Sequence, residues 1–211
     1  MARQAFSFAT KLYPITDVRM SGLSHAEQVE RLSAGGATLI QLREKHLSPR
    51  EFFAEADKAL RVARSRGMRI VINDRVDIAL ALQADGVHLG QNDLVPEVAR
   101  KLLGATAVIG FSTHTIGQAQ AAVNMPIDYI AIGPIFSTAT KDNPDPVVGL
   151  DGLRRVRASV GHFPLVAIGG IGLAQAAAVI SAGADAVAVI SALLAEGSGI
   201  QHRTKELGSR L

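Results

Sequence analysis

Apolar residues in this chain fall into short unbroken runs, separated by longer stretches in which they recur at helical spacing. Eight runs read as strands: 12–16, 38–42, 69–72, 86–89, 107–111, 127–132, 165–168 and 186–190. They do not alternate with polar residues, so both faces are expected to be covered and the strands to be parallel. Helical spacing is expected over 25–33, 49–66, 76–82, 95–103, 116–123, 150–160 and 173–182. A last helix begins at 192–195, and 196–211 form a C-terminal helix or tail. The clearest helix start is Ser48-Pro49 with Glu51, a capping box with proline in the first turn. Gly35-Gly36, Gly67 and Gly104 are helix stops. Residues 1–10 read as a loose arm.

Three strand entries resemble one another: Ala84-Asp85-Gly86-Val87, Ile127-Asp128-Tyr129-Ile130 and Ala184-Asp185-Ala186-Val187. They point to one supersecondary unit used repeatedly. Eight β/α units predict a single α/β domain over 1–211, a (β/α)8 TIM barrel with eight parallel strands; an open doubly wound sheet is the second choice. At 211 residues the chain is near the lower end of the barrel range of roughly 200 to 400, so its loops must be short.

Composition removes several functional classes. Residues 163–184 carry no charge, but Gly169, Gly170 and Gly172 break them into a strand, a turn and a helix, so no membrane partner is expected. Aromatic residues make up 4% of the chain and tryptophan is absent, which argues against a base-stacking surface and hence against nucleic acid. With no cysteine, disulfides, thiolate nucleophiles and cysteine zinc sites are excluded. The first eleven residues lack a sustained apolar core, and a cytoplasmic location is expected. The net charge of +3 is scattered and favours anionic small molecules.

In a barrel the chemistry collects at the C-terminal strand ends. Gln41, Arg43 and Lys45 follow the second strand at two-residue spacing, which aims them at one ligand. Arg43 as a fork and Lys45 as a point charge suit a pyrophosphate; a salt bridge at the barrel mouth is the competing explanation. Asp74 and Asp93 end neighbouring strands and suit Mg²⁺, or cap the helices that follow. Asn73 can bond a heterocycle or a phosphate oxygen. Ser112 and His114 follow strand five; no acidic partner of His114 is evident. His88 and His162 read as structural. The loop Gly133–Lys141, GPIFSTATK, offers hydroxyls and a cation after a buried strand. Gly169-Gly170 and Ile190-Ser191 match the phosphate site that barrels build from their last two βα loops. Two anion sites result, one of Arg43, Lys45, Asp74, Asp93 and Lys141, the other of Thr138, Thr140, Gly170, Ile190 and Ser191. Two phosphorylated substrates meeting over Mg²⁺ suggest group transfer with departure of pyrophosphate.

Taken in order, QLREK (41–45), INDR (72–75), DGVHLGQND (85–93), GFSTH (110–114), GPIFSTATK (133–141) and AIGGI (167–171) resemble the thiamine-phosphate synthase family, from Leu12 to Ser191. The resemblance implies a barrel enzyme joining a hydroxymethylpyrimidine pyrophosphate to a hydroxyethylthiazole phosphate by a dissociative route. Its partners would be those two phosphorylated heterocycles. Gln41, Leu42, Arg43, Glu44, Lys45, Asn73, Ser112 and Lys141 would bind the pyrimidine pyrophosphate, with Arg43, Ser112 and Lys141 catalytic. Thr138, Ala139, Thr140, Gly170, Ile190 and Ser191 would bind the thiazole phosphate. Asp74 and Asp93 would hold one Mg²⁺ per subunit. The acidic, proline-containing segment 142–146 departs from the family pattern. A related thiazole tautomerase relying on His114, and a non-catalytic sensor of thiamine phosphates, are the alternatives; oligomeric state stays open.

Overall fold

A computed structural model describes residues 6–138, 145–195 and 199–211. Strands β1 (Leu12–Pro14), β2 (Leu39–Leu42), β3 (Arg69–Asn73), β4 (Gly86–Leu89), β5 (Val108–Thr113), β6 (Tyr129–Ile132), β7 (Leu165–Ile168) and β8 (Ala186–Val189) pair in parallel, each with its sequence neighbour, and β1 pairs with β8. A single bridge between Ile15 and Gln41, with the Thr16 N–H donating to the Gln41 carbonyl at 2.9 Å, joins β1 to β2 and closes the ring. The expected barrel is therefore the observed one, and the open sheet is not.

Around it run α1 (Val18–Ser21), α2 (His25–Ala34), α3 (Pro49–Ser65), α4 (Val76–Ala81), α5 (Pro96–Leu103), α6 (Ile116–Ala122), α7 (Gly149–Val160), α8 (Ala176–Ser181), α9 (Ser191–Leu194) and α10 (Ile200–Ser209). The capping box at Ser48 and Glu51 forms as expected, and Ser24 with Glu27 makes a second one. The short α1, started by the Asp17 side chain, has no apolar periodicity and escapes pattern reading. Among the described residues no helix is long and apolar enough to cross a membrane.

The repeated strand entries have a structural reason. Asp85, Asp128 and Asp185 each stand just before an even-numbered strand. Each carboxylate accepts an N–H near the start of the preceding strand: Ile70, Ile109 and Leu165, all at 2.7 Å. These are backbone donors that the staggered barrel leaves without a ladder partner, and a buried N–H needs one. The same carboxylate oxygens of Asp128 and Asp185 also accept from Arg100 and Arg157, at 2.7 and 2.6 Å. β6 starts at Tyr129 rather than at the expected 127, with Asp128 just before it bonded to Ile109 through both its backbone N–H and its side chain, each at 2.7 Å.

Apolar side chains occupy two layers. The larger lies between strands and helices; the smaller fills the barrel with Tyr13, Leu39, Val71, Val108, Tyr129, Val166 and small alanines. Room for Tyr129 comes from Gly110, its register partner on β5. A Cβ at Gly110 would lie 2.0 Å from the Tyr129 ring and 2.5 Å from His88 Nδ1. Below Tyr129 the described part of the N-terminal arm is packed rather than loose. Phe6 and Phe8 meet edge to face at 4.9 Å, Phe8 meets Tyr129 at 5.4 Å, and the Arg69 guanidinium sits over Phe6 at 5.5 Å. These two aromatics plug the barrel bottom, where the interior would otherwise meet water.

Gly110→Ala is expected to cost about 1–3 kcal/mol through overpacking, measured by urea denaturation. Gly117→Ala on α6, where a Cβ meets nothing within 4 Å, should leave stability unchanged or raise it by up to ~1 kcal/mol.

Candidate active site

A cavity of about 560 Å³ opens at the C-terminal strand ends, within the usual small-molecule range of roughly 300 to 1,000 Å³. The ends of β2 to β5 form one wall. The loops after β6, β7 and β8 form the other.

On the first wall, Gln41, Arg43 and Lys45 all face the cavity, as their two-residue spacing predicts. Arg43 Nη1 is held by Asp17 Oδ2 at 2.9 Å, and its backbone N–H by Thr16 Oγ1 at 3.2 Å. The barrel-mouth salt bridge weighed against ligand binding thus exists, with Asp17 as the partner. Leu42 and Glu44 alternate to the other side and do not line the cavity. Leu42 is buried between barrel and helices. Glu44 braces the turn from behind: one oxygen accepts the N–H groups of Lys45, His46 and Leu47 at 2.8, 2.7 and 3.2 Å. The other lies 3.5 Å from buried His25 Nε2. Partial burial opposes the Glu44 charge, but the backbone donors outweigh it and hold the carboxyl below its ordinary pKa.

Asp74 and Asp93 are not helix caps. The residues at the caps of α4 and α5 are Arg75 and Val95, and neither makes a side-chain cap bond. Asp74 takes a left-handed backbone, φ 62°, a conformation that aspartate tolerates better than most residues with a Cβ. Its carboxylate holds Lys45 Nζ at 2.5 Å. Asp93 accepts the Gly90 N–H at 2.7 Å. Burial, and then the neighbouring Asp74 carboxylate, raise the Asp93 pKa above its ordinary value against the pull of that N–H. Two carboxylates in such contact, with one lysine against them, form a site that gains from added positive charge.

On the floor, Ser112 and Asn73 line the cavity as expected, and His88, read from the sequence as structural, lines it beside them while bonded into the barrel interior. Nδ1 lies 2.9 Å from the Tyr129 hydroxyl and Nε2 2.8 Å from Ser112 Oγ. Tyr129 meets the Tyr13 hydroxyl at 2.9 Å, and Tyr13 accepts from Gln41 Nε2 at 3.1 Å. Full burial pushes His88 down to about 4 and Tyr13 up to about 12. The signal that would have found His88 is alternation: Gly86 and His88 share a face, and so do Gly110 and Ser112 on the next strand.

On the second wall, Gly169 and Gly170 adopt φ of 99° and 64°. A Cβ on Gly170 would strike the Ser137 carbonyl at 2.4 Å, so the loop after β6 and the turn after β7 can approach only through glycine. The Phe136 N–H donates to the Gly169 carbonyl at 3.0 Å. Gly170, Thr138, Ile190 and Ser191 all line the cavity. Ala139, Thr140, Lys141 and most of the 142–146 segment lie outside the described residues. Asp145 is described, and it corrects the reading of His114: its Oδ2 stands 3.4 Å from His114 Nδ1, which also contacts the Gly133 carbonyl at 2.7 Å. An acid 31 positions downstream is brought alongside only by the return of the loop.

Fold and cavity together define a (β/α)8 barrel with a mouth sized for small molecules. A family model described as thiamine monophosphate synthase matches residues 12–193. A thiamine-phosphate synthase of Chloroflexus aurantiacus is 47% identical over 88% of this chain and 85% of that protein. One from Clostridium novyi is 44% identical over 94% and 97%. Among solved structures, thiamine phosphate pyrophosphorylase from Pyrococcus furiosus superposes with a TM-score of 0.84 at 37% identity, covering 95% of both chains. The chain belongs to the thiamine monophosphate synthase family, and its activity is thiamine-phosphate synthesis, a transferase step of thiamine biosynthesis.

Burial lowers the pKa of both His88 and His25 in the fold. The unfolded chain therefore binds more protons, and stability rises with pH. Their contribution is full above the unfolded value near 6.5 and is lost as pH falls from there toward about 4. Urea midpoints between pH 8 and pH 4 are expected to show this fall, with a shallower slope in His88→Gln. Asp93→Asn keeps an acceptor for Gly90 and removes a like charge. Its melting temperature without divalent cations is expected to match or exceed that of the unaltered protein.

Proposed function

We propose that the cavity joins a hydroxymethylpyrimidine pyrophosphate to a hydroxyethylthiazole phosphate, releasing pyrophosphate. The observation that carries this reading is the meeting in one cavity of Arg43, Lys45, Asp74 and Asp93 with the Gly169-Gly170 turn and Ser191. The bond between the pyrimidine methylene carbon and the pyrophosphate oxygen breaks, and its electron pair leaves with pyrophosphate. The aminopyrimidine ring stabilises the methylene cation. The thiazole nitrogen then donates its lone pair to form the new C–N bond. No proton transfer is required, so the protein's contribution is positioning and charge neutralisation.

Arg43 and Lys45 take the pyrophosphate, exchanging Asp17 and Asp74 for its oxygens. Ser112 donates to the same substrate, and Gln41 and Asn73 orient the pyrimidine. Leu42 and Glu44 serve that subsite from behind, Glu44 by bracing the turn. Lys141, assigned from the family resemblance, neutralises the departing pyrophosphate. Thr138, Gly170, Ile190 and Ser191 take the thiazole phosphate, with Ala139 and Thr140 completing that side by the same resemblance.

Asp74 and Asp93 fit one Mg²⁺ per subunit. Burial first, and then the neighbouring Asp74 carboxylate, raise the Asp93 pKa, so a cation between the two carboxylates would be favoured. Two carboxylates are the protein share that Mg²⁺ ordinarily takes when phosphates and water complete its shell. When bound, the ion supplies charge neutralisation to the pyrophosphate oxygens. A cytoplasmic setting belongs to the same proposal, supported by the cysteine-free sequence and testable by cell fractionation.

Purified protein given both substrates and Mg²⁺ should form thiamine phosphate and pyrophosphate in equal amounts. Tight binding of thiamine phosphate without turnover would make the protein a sensor and overturn the proposal. Lys45→Ala, Lys141→Ala and Asp93→Ala are each expected to lower turnover on the order of 10²-fold without lowering the melting temperature much. Loss mainly of melting temperature would return these residues to structural roles.

A further inference from the structure

Five side chains form one continuous line of hydrogen bonds through the barrel: Gln41, Tyr13, Tyr129, His88 and Ser112. The links measure 3.1, 2.9, 2.9 and 2.8 Å. Tyr13 and Tyr129 are 1% and 0% exposed, so bulk solvent does not reach either ring. We propose that Gln41, Tyr13, Tyr129 and His88 are positioning residues that hold Ser112 as a hydrogen-bond donor toward the cavity. The consequence for substrate rests on the reading of Ser112 given above; the polarity of the line does not.

Proton counting sets the direction. The Gln41 amide nitrogen only donates, so the Tyr13 oxygen accepts. Among the described residues the Tyr13 proton has one acceptor, the Tyr129 oxygen. Leaving a buried hydroxyl proton without an acceptor is costly, so Tyr13 donates to Tyr129. Tyr129 then donates to His88 Nδ1. The neutral imidazole carries its proton on Nε2 and donates it to Ser112 Oγ. The Ser112 proton is left over, and Ser112 lines the cavity. No bond is broken and no proton changes owner; the line is a fixed orientation of dipoles. Ser112 thereby offers its proton to an acceptor such as a phosphate oxygen or a ring nitrogen, and is a poorer match for an amine.

Packing keeps the line from rotating away. The Tyr13 and Tyr129 rings meet at 89° with centroids 5.8 Å apart, and His88 stacks on Tyr129 at 5.5 Å and 19°. The Ser112 backbone is held too, its carbonyl accepting from Gln91 Nε2 at 2.5 Å. Reversing Ser112 would require turning every dipole back to the Gln41 amide.

The test is the tautomer of His88, read near neutral pH on the ¹⁵N-labelled full-length protein by long-range ¹H–¹⁵N correlation. The Nε2–H form is expected. Gln41→Glu replaces the donating end with an acceptor of the same shape and should switch His88 to Nδ1–H. Tyr129→Phe cuts the line while keeping the ring, and should give mixed tautomers. It should also lower kcat about tenfold with a much smaller change in KM for the pyrimidine pyrophosphate. An Nδ1–H form in the unaltered protein would mean that Ser112 donates inward, and would overturn the proposal. So would an Nε2–H form that persists in both variants. The spectra need no substrate, so a failure here is distinct from a failure of the proposed reaction.

Discussion

Gly110 lacks a Cβ, and the Tyr129 ring occupies the space a Cβ would fill. Much of the structure depends on that one steric allowance. The interior of a small parallel barrel is filled by the inward residues of eight strands, and an aromatic ring enters only where a facing strand gives way. With Tyr129 seated, Phe6 and Phe8 have a surface to cover from below, and Tyr13 has a ring to meet edge on. The Tyr129 hydroxyl then reaches His88, and His88 reaches Ser112 at the cavity floor. Core packing and site geometry are thus one set of contacts, and a change in the first is felt in the second.

The mouth obeys a different constraint. Among the described residues Arg43 is engaged by Asp17 and Lys45 by Asp74, while Asp93, already disfavoured as a charge by burial, also bears the repulsion of Asp74. These pairs keep the charges compensated before substrate arrives, at the expense of a poorly matched carboxylate pair. Sites that hold like charges together sacrifice stability for affinity toward the ligand that relieves them. The glycine turn on the opposite wall brings no charge and contributes close approach of the backbone instead.

Much of this was legible in the chain. Unbroken apolar runs predicted parallel strands buried on both faces, and the barrel followed from their number. The repeated Ala-Asp and Ile-Asp strand entries marked real units, although only the structure shows what the aspartates do: each satisfies a backbone donor of the strand before it. Two-residue spacing after β2 correctly brought Gln41, Arg43 and Lys45 to one side, and the same rule places Leu42 and Glu44 away from the cavity. That His88 faces the cavity was illegible because a histidine within an apolar run has the same appearance whether it faces the helices or the barrel axis. The partnership of His114 with Asp145 was illegible because it spans a loop. The packing of Phe6 and Phe8 was illegible because a short segment without periodicity carries no local sign of what it covers.

Local pattern by itself determined the element types, their order, the strand ends around which the cavity opens and, through the run of motifs, the family. These follow from hydrophobic periodicity, turn residues and fixed spacing, all properties of neighbours in the chain. Only the tertiary structure decided which carboxylate meets which cation, that Asp74 and Asp93 share a site rather than capping separate helices, and that a line of buried hydroxyls ends at Ser112. Those outcomes depend on register and on the closure of β1 against β2. Closure sets Gln41 beside Tyr13, across 28 positions of sequence that no local pattern spans.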